Sequence, residues 1–192
     1  TATPLDSRRA TVRGGEAAIG NLIADAIRAS VGADIAITNG GGIRADRQYD
    51  AGTKLTRADV FAELPFGNKV VKLEVTGADI VSALENGLSQ VEVAAGRFPQ
   101  VSGLVVKADL ARPAGSRVFS VTVNGAPIED GKTYTLATND FMAAGGDGYT
   151  VFKSAKPLIN AVDAKLMASA VIDYIAAQKE IAPKVEGRLI TQ

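Results

Sequence analysis

One early stretch, Thr38-Asn39-Gly40-Gly41-Gly42-Ile43-Arg44, gathers groups suited to recognising an anion. The Arg44 guanidinium is a fork matched to phosphate or carboxylate, and the Asn39 amide both donates and accepts. Between them the glycine run, Gly41 and Gly42 included, leaves a bare backbone that a ligand or another segment can approach closely. A second stretch of like design, Asn139-Asp140-Phe141-Met142-Ala143-Ala144-Gly145-Gly146-Asp147-Gly148-Tyr149, presents an aromatic, then glycines, then a carboxylate. A third, Phe66-Gly67-Asn68 after Pro65, puts a ring at a chain bend instead of in a periodic apolar face. Each has a plainer reading when taken alone. A glycine run makes a tight turn solvated by its Asn and Arg, Asp147 between glycines suits a turn, and a Phe is usually core. Metal binding by Asp140 and Asp147 has weaker support, because hard-cation loops carry carboxylates at denser spacing.

Composition narrows the chemistry further. The chain has no His and no Cys, which removes Ser-His and Cys-His nucleophile arrangements, imidazole or thiolate zinc sites, and disulfides. The redox compartment stays open. With 21 Lys+Arg against 21 Asp+Glu there is no polybasic field for nucleic acid, so a phosphate-bearing partner would be held by a few focused arginines. At 192 residues and 46% hydrophobic, the chain is long and apolar enough to bury a core without staples. It has no apolar run long enough to span a bilayer, and its start at Thr1 without a Met or signal-like segment reads as a piece of a longer protein.

Helix and strand signals alternate around the three stretches. Thr1 to Thr11 reads as an entering linker or edge strand ended by Arg13, and Gly14-Gly15 precede a helix over 16–31 with Ile19, Leu22, Ile23, Ala26 and Ile27 at helical spacing. Gly32 closes it. Ala33 to Thr38 is the strand that delivers the glycine loop, and in open α/β sheets ligands sit at such strand ends. Thr56 with Asp59 opens a short helix stopped by Pro65. Lys69 to Val75 alternates as a half-buried strand, and Thr76 caps a helix with Ile80, Val81, Leu84 and Leu88 buried and Asp79 and Glu85 towards water. A loop over 90–100 leads to strands at 101–108 and 117–123, and Asn124-Gly125 signals a hairpin. A strand over 134–138 delivers the second stretch, a helix is expected over 163–177, and 188–190 is strand-like. The fold class is α/β with mixed sheets, because the hairpin argues against an all-parallel sheet.

Five segments in order, EAAIGNLIADA (16–26), TNGGGIR (38–44), LPFGN (64–68), FPQVSG (98–103) and NDFMAAGGDGY (139–149), resemble the C-terminal domain of the 5′-nucleotidase family, which includes UDP-sugar hydrolases. The resemblance runs from Leu5 to Ile190 and implies one layered α/β/β/α domain over residues 1–192. It also implies roles. Phe66 and Phe141 become two plates that sandwich a base, and Asp147 the acceptor for ribose hydroxyls. Arg13 and Arg44 lie towards the phosphate, Asn39 near base and ribose, and Asn68 at a base-contacting position. The chain departs from many relatives in having Ala17 and Ala18 after the helix-opening Glu16, where they carry a hydroxyl residue and Asn.

The implied function is the nucleotide-specificity domain of an enzyme that hydrolyses nucleoside 5′-phosphates to nucleoside and phosphate. No cofactor and no catalytic residue is expected in this chain. Two divalent metal ions are expected in an N-terminal metallophosphatase domain of the same parent chain, absent from this sequence. The expected partners are a nucleoside or its 5′-phosphate and that domain, without nucleic acid or a membrane span. Localisation in the periplasm, cell wall or secreted space also rests on the resemblance. Two alternatives stay open: a non-catalytic binding module, and the substrate domain of a sister hydrolase such as a cyclic-nucleotide phosphodiesterase or a thiosulfate-pathway enzyme.

Overall fold

The computed structural model describes residues 1–192. In chain order the strands and helices are β1 (Leu5–Asp6), α1 (Arg9–Val12), α2 (Ala18–Val31), β2 (Ile35–Asn39), β3 (Gln48–Tyr49), α3 (Arg57–Glu63), β4 (Val70–Thr76) and α4 (Gly77–Leu88). They continue with β5 (Pro99–Ser102), β6 (Leu104–Ala108), β7 (Val118–Val123), β8 (Ala126–Pro127), β9 (Thr133–Asn139), α5 (Asp140–Ala143), β10 (Lys156–Ile159), α6 (Met167–Gln178) and β11 (Leu189–Thr191).

A five-stranded sheet in the order β10-β4-β9-β2-β5 forms the centre. β2 and β9 are its only parallel neighbours, so their C-terminal ends emerge side by side. Because β2 is buried along its whole length, its Ile35-Ala36-Ile37 start reads as a continuous apolar run and not as an alternation. One face of the sheet is covered by α2, α3 and α6, whose Ile23, Ile27, Val60 and Val171 join one core. The other face packs on α4 and on a second sheet, β11-β6-β7-β8, in a core that includes Ile80, Leu84, Val106 and Val121. Alternate residues of β6, Val105 and Lys107, face outward.

Local chemistry accounts for the element ends. Thr56 and Thr76 each form a full capping box with Asp59 and Asp79, a device worth about 1 kcal/mol. Gly32 ends α2 in the left-handed conformation, and Asn124 and Gly125 take positive φ in the β7–β8 hairpin. Two boundaries and one side chain differ notably from the sequence expectation. The strand expected over 101–108 is two strands in different sheets, broken at Gly103 with φ +74°. The last long helix starts at Met167 and not at 163. Glu85 is also not simply a solvated charge: its carboxylate accepts the backbone N–H groups of Arg117 and Val118 and so anchors the start of β7 to α4.

Candidate functional site

A cleft of about 560 Å³ opens where β2 and β9 end, and it is lined by Arg13, Asn39, Gly41, Gly42, Arg44, Phe66, Asn68, Gly96, Phe141 and Asp147. All nine residues singled out in the sequence line it. Gly96, in the segment read as a featureless loop, is the one addition.

Close backbone approach builds the first wall. Gly40 and Gly41 N–H donate to the carbonyls of Phe98 and Gly96, both at 2.7 Å. A Cβ on Gly40 would fall 2.1 Å from the Val12 carbonyl oxygen, so only glycine lets the loop after β2 meet the end of α1 and bring Arg13 beside it. Gln100, buried on β5, fixes the same corner. Its amide donates to the carbonyls of Val12 and Gly15 at 3.1 and 2.8 Å and accepts from Ala17 N–H at 3.1 Å. Thus the turn containing Ala17 and Ala18, which have no polar side chain, takes part of its polar organisation from Gln100 of the FPQVSG stretch.

The arginines carry the positive end of the cleft. Arg13 is only 9% exposed, and its Nε has no hydrogen-bond partner. Burial, followed by the charges of Arg9 and Arg44, pushes its pKa below the ordinary guanidinium value, while Asp147 opposes this. None of the protein's ion pairs uses Arg13 or Arg44. Arg44 instead sits over the Phe66 ring, with its guanidinium carbon 5.4 Å from the centroid. Two cations held together with unused donors form a site for an anion.

The opposite wall comes from the loop after β9. Asp147 has φ +53°, flanked by Gly145 and Gly148 also at positive φ, and this turn aims its carboxylate back at β2. Asn39 Nδ2 donates to Asp147 Oδ2 at 2.7 Å, Asn139 Nδ2 donates to Asn39 Oδ1 at 3.0 Å, and Asn139 Oδ1 accepts Met142 N–H at 2.8 Å. Asn86 Nδ2 holds the Asp147 carbonyl from behind at 3.1 Å. Phe141 rests against Gly146, where a Cβ would lie 2.5 Å from ring atom Cζ. Asn68 Nδ2 and Lys69 N–H both donate to Asp140 Oδ1, at 3.0 and 3.1 Å, fastening the Phe66 loop to α5.

The two cleft rings stay open to solvent, with Phe66 60% and Phe141 45% exposed. The stacked aromatic pair of the protein is elsewhere: Tyr149 and Phe152 pack 5.5 Å apart in the core. Burial raises the Tyr149 phenol well above its ordinary value, and its O–H donates to the Arg97 carbonyl at 2.6 Å. It therefore stays a protonated structural donor behind the Asp147 loop.

No group of three or more His, Cys, Asp or Glu side chains in this chain is arranged to hold a metal ion. The cleft offers two guanidinium groups and one carboxylate already engaged by an amide. That set fits an anionic, hydroxylated ligand with a flat ring and does not fit a dimetal centre.

The chain is an α/β domain with a cleft lined by two phenylalanines and two arginines at the ends of two parallel strands. Residues 1–154 match the family described as the 5′-nucleotidase C-terminal domain, and the chain belongs to that family. It is 41% identical over 200 residues to the trifunctional nucleotide phosphoesterase YfkN of Bacillus subtilis, covering 98% of this chain and 13% of that protein. It is 36% identical over 195 residues to a snake venom 5′-nucleotidase of Crotalus adamanteus, covering 91% of this chain and 33% of the enzyme. Among solved structures, a 5′-nucleotidase precursor from Thermus thermophilus superposes with a TM-score of 0.91 at 40% identity, over 99% of this chain and 38% of that one. The chain thus spans between about an eighth and two fifths of the length of these relatives.

Proposed function

We propose that this chain is the nucleotide-binding specificity domain of a 5′-nucleotidase, holding a nucleoside 5′-phosphate with its base between Phe66 and Phe141. The observation that carries this reading is the pair of half-exposed rings on one cleft with two arginines free of carboxylate partners. Such rings are costly to leave in water unless a flat ligand covers them. A base between two π faces gains about 1–3 kcal/mol per stacking contact, with little demand on which base it is. In this reading the Asp147 oxygen that Asn39 leaves free accepts the vicinal ribose hydroxyls, Asn39 and Asn68 border base and ribose, and Gly41 and Gly42 let the ligand approach the backbone. Arg13 and Arg44 draw the phosphate to the other end.

Hydrolysis belongs, in this proposal, to a metallophosphatase domain of the parent chain that holds two divalent metals. The present residues bind and orient the substrate and supply no nucleophile. The secreted character of the venom relative supports an exported parent. Two measurements test the reading. The purified chain incubated with AMP and any divalent metal should release no phosphate, because no His-containing ligand set exists in it; hydrolysis above a contamination control would defeat the division of labour. Calorimetric or NMR titration with adenosine should give weak binding, high micromolar to millimolar or about 4–6 kcal/mol. No adenosine-dependent shift at Phe66 or Phe141 would defeat the clamp.

A further inference from the structure

One buried carboxylate ties together two of the loops that build the cleft. Glu63, the last residue of α3, is 4% exposed and does not line the cleft. Its Oε1 accepts the Tyr49 hydroxyl at 2.7 Å, its Oε2 accepts Ala45 N–H at 3.2 Å, and its main-chain carbonyl accepts Arg44 N–H at 2.9 Å. The chain runs from Glu63 through Leu64 and Pro65 straight to Phe66. So the segment that begins with Arg44 is fastened to the helix end that delivers Phe66.

The far side of the segment is pinned as well. Arg9 N–H donates to Asp46 Oδ1 at 2.7 Å, and Ser7 exchanges hydrogen bonds with the Arg47 backbone. Arg47 lies over the Tyr49 ring, 4.6 Å from its centroid. Both groups that face the Glu63 side chain, Tyr49 O–H and Ala45 N–H, are donors. Burial and then the neighbouring Glu63 push the Tyr49 phenol up to about 12, so it remains a donor throughout the neutral range. A carboxylate accepts at both oxygens, whereas an amide would have to turn an NH₂ towards one of two donors.

We infer that Glu63 is a positioning residue for the anion end of the cleft: by holding the Ala45 N–H next to Arg44 and the Tyr49 hydroxyl at the base of the Phe66 loop, its carboxylate sets the preference for a phosphorylated nucleoside over the bare nucleoside. The inference rests on the nucleotide reading above. Its consequence is a ratio, which a loss of general stability would not move. A loosened Arg44 weakens AMP, whose phosphate it meets, more than adenosine.

The test titrates the whole 192-residue chain with AMP and with adenosine, for the wild type and for Glu63→Gln, Tyr49→Phe, Arg44→Ala and Phe66→Ala, with a thermal melt of each. Glu63→Gln should lower AMP affinity about three- to tenfold and adenosine affinity by less, so that the AMP-to-adenosine ratio falls towards that of Arg44→Ala. Tyr49→Phe keeps the ring under Arg47 and removes one donor to Glu63, so it should shift the ratio in the same direction by less. It decides the matter if Glu63→Gln does not fold. If the folded variants keep the wild-type ratio while Arg44→Ala lowers it, Glu63 has no positioning role and the nucleotide reading stands. If Arg44→Ala and Phe66→Ala change neither affinity, the nucleotide reading falls and this inference falls with it.

Discussion

The parallel strands β2 and β9 are finished differently at their two ends. At the N-terminal end Asp34 accepts from Thr135 N–H at 2.8 Å and from Thr135 Oγ at 2.7 Å, and the charged side chains nearby have hydrogen-bond partners. Arg188 grips Asp25 with both Nη atoms, at 2.6 and 2.8 Å, while Ser102 Oγ donates to Asp25 at 2.6 Å and Arg28 donates to Ser102 at 3.1 Å. At the C-terminal end Asn39 and Asn139 orient Asp147, but Arg13 and Arg44 are left without carboxylate partners and two rings are left in water. The contrast separates polar groups that complete a fold from polar groups held ready for something else. Satisfied networks stabilise, whereas charged groups without partners that line a cleft are candidates for a functional site.

If that division is right, changes at the two ends should have opposite signatures. The largest effect expected is on binding: Phe66→Ala or Phe141→Ala each removes a stacking contact of about 1–3 kcal/mol, enough to take a millimolar ligand out of reach of an adenosine titration. Neither should destabilise the fold much, since both rings are already half in water. A drop in melting temperature as large as that of a core truncation would place these rings in the structural class. At the other end, Arg188→Ala leaves Asp25 partly buried beside Ser102 and exposes the start of β11. An unfolding cost of about 1–3 kcal/mol is expected, below the full value for a buried pair because Asp25 is partly exposed, with nucleoside affinity unchanged. Denaturant melts and titrations on the same sample check both halves of that statement. A smaller change sharpens the cleft itself. Asp147→Asn keeps an acceptor for Asn39 and loses the charge that meets vicinal hydroxyls, so it should weaken adenosine by about 1 kcal/mol and 2′,3′-dideoxyadenosine by less. Equal losses for the two ligands would remove Asp147 from the ribose role.

The open end was more legible in the sequence than the closed one, for a physical reason. Glycine runs, a Phe after Pro65 and a carboxylate between glycines break local periodicity, and breaks of that kind are visible without knowing the fold. Asn39 and Asp147 could be marked as candidates, but the bond between them depends on β2 and β9 lying parallel, which no local pattern announces. Glu63 was invisible because a charged residue near the end of a short helix normally faces water. Only the return of the segment from Arg44 to Tyr49 over α3 buries it. Gly96 was missed for the same reason, its segment having no periodicity to interpret. Gly103 is a visible interruption in the strand-like run from Val101 to Ala108, but a lone glycine does not announce that the chain changes sheets there. In contrast, the capping boxes at Thr56 and Thr76 and the Asn124-Gly125 turn are encoded within a few residues, and they fold as they read.

The smallest effect expected comes from acid, at the closed end. The hydrogen bonds from Thr135, the backbone N–H first, hold the Asp34 carboxyl below its ordinary value of 3.8 against a smaller opposing cost of burial. A carboxyl whose folded value lies below its unfolded value contributes stability that is fully present above the unfolded value, and that contribution is lost as the pH falls through the folded one. Asp34 is exposed, so screening by water limits the contribution to about 0.5 kcal/mol. Thr135→Val removes the hydroxyl donor and keeps the backbone N–H, the stronger of the two. It should therefore reduce stability slightly at neutral pH and flatten, without abolishing, the part of the acid dependence that falls below about pH 4. Asp34→Asn should remove that part altogether. Urea melts of the three proteins between neutral pH and the acid limit read the difference directly. If all three lose stability in parallel below pH 4, the Asp34–Thr135 clamp is a contact without thermodynamic weight, and the closed end is held by the Arg188–Asp25 network alone.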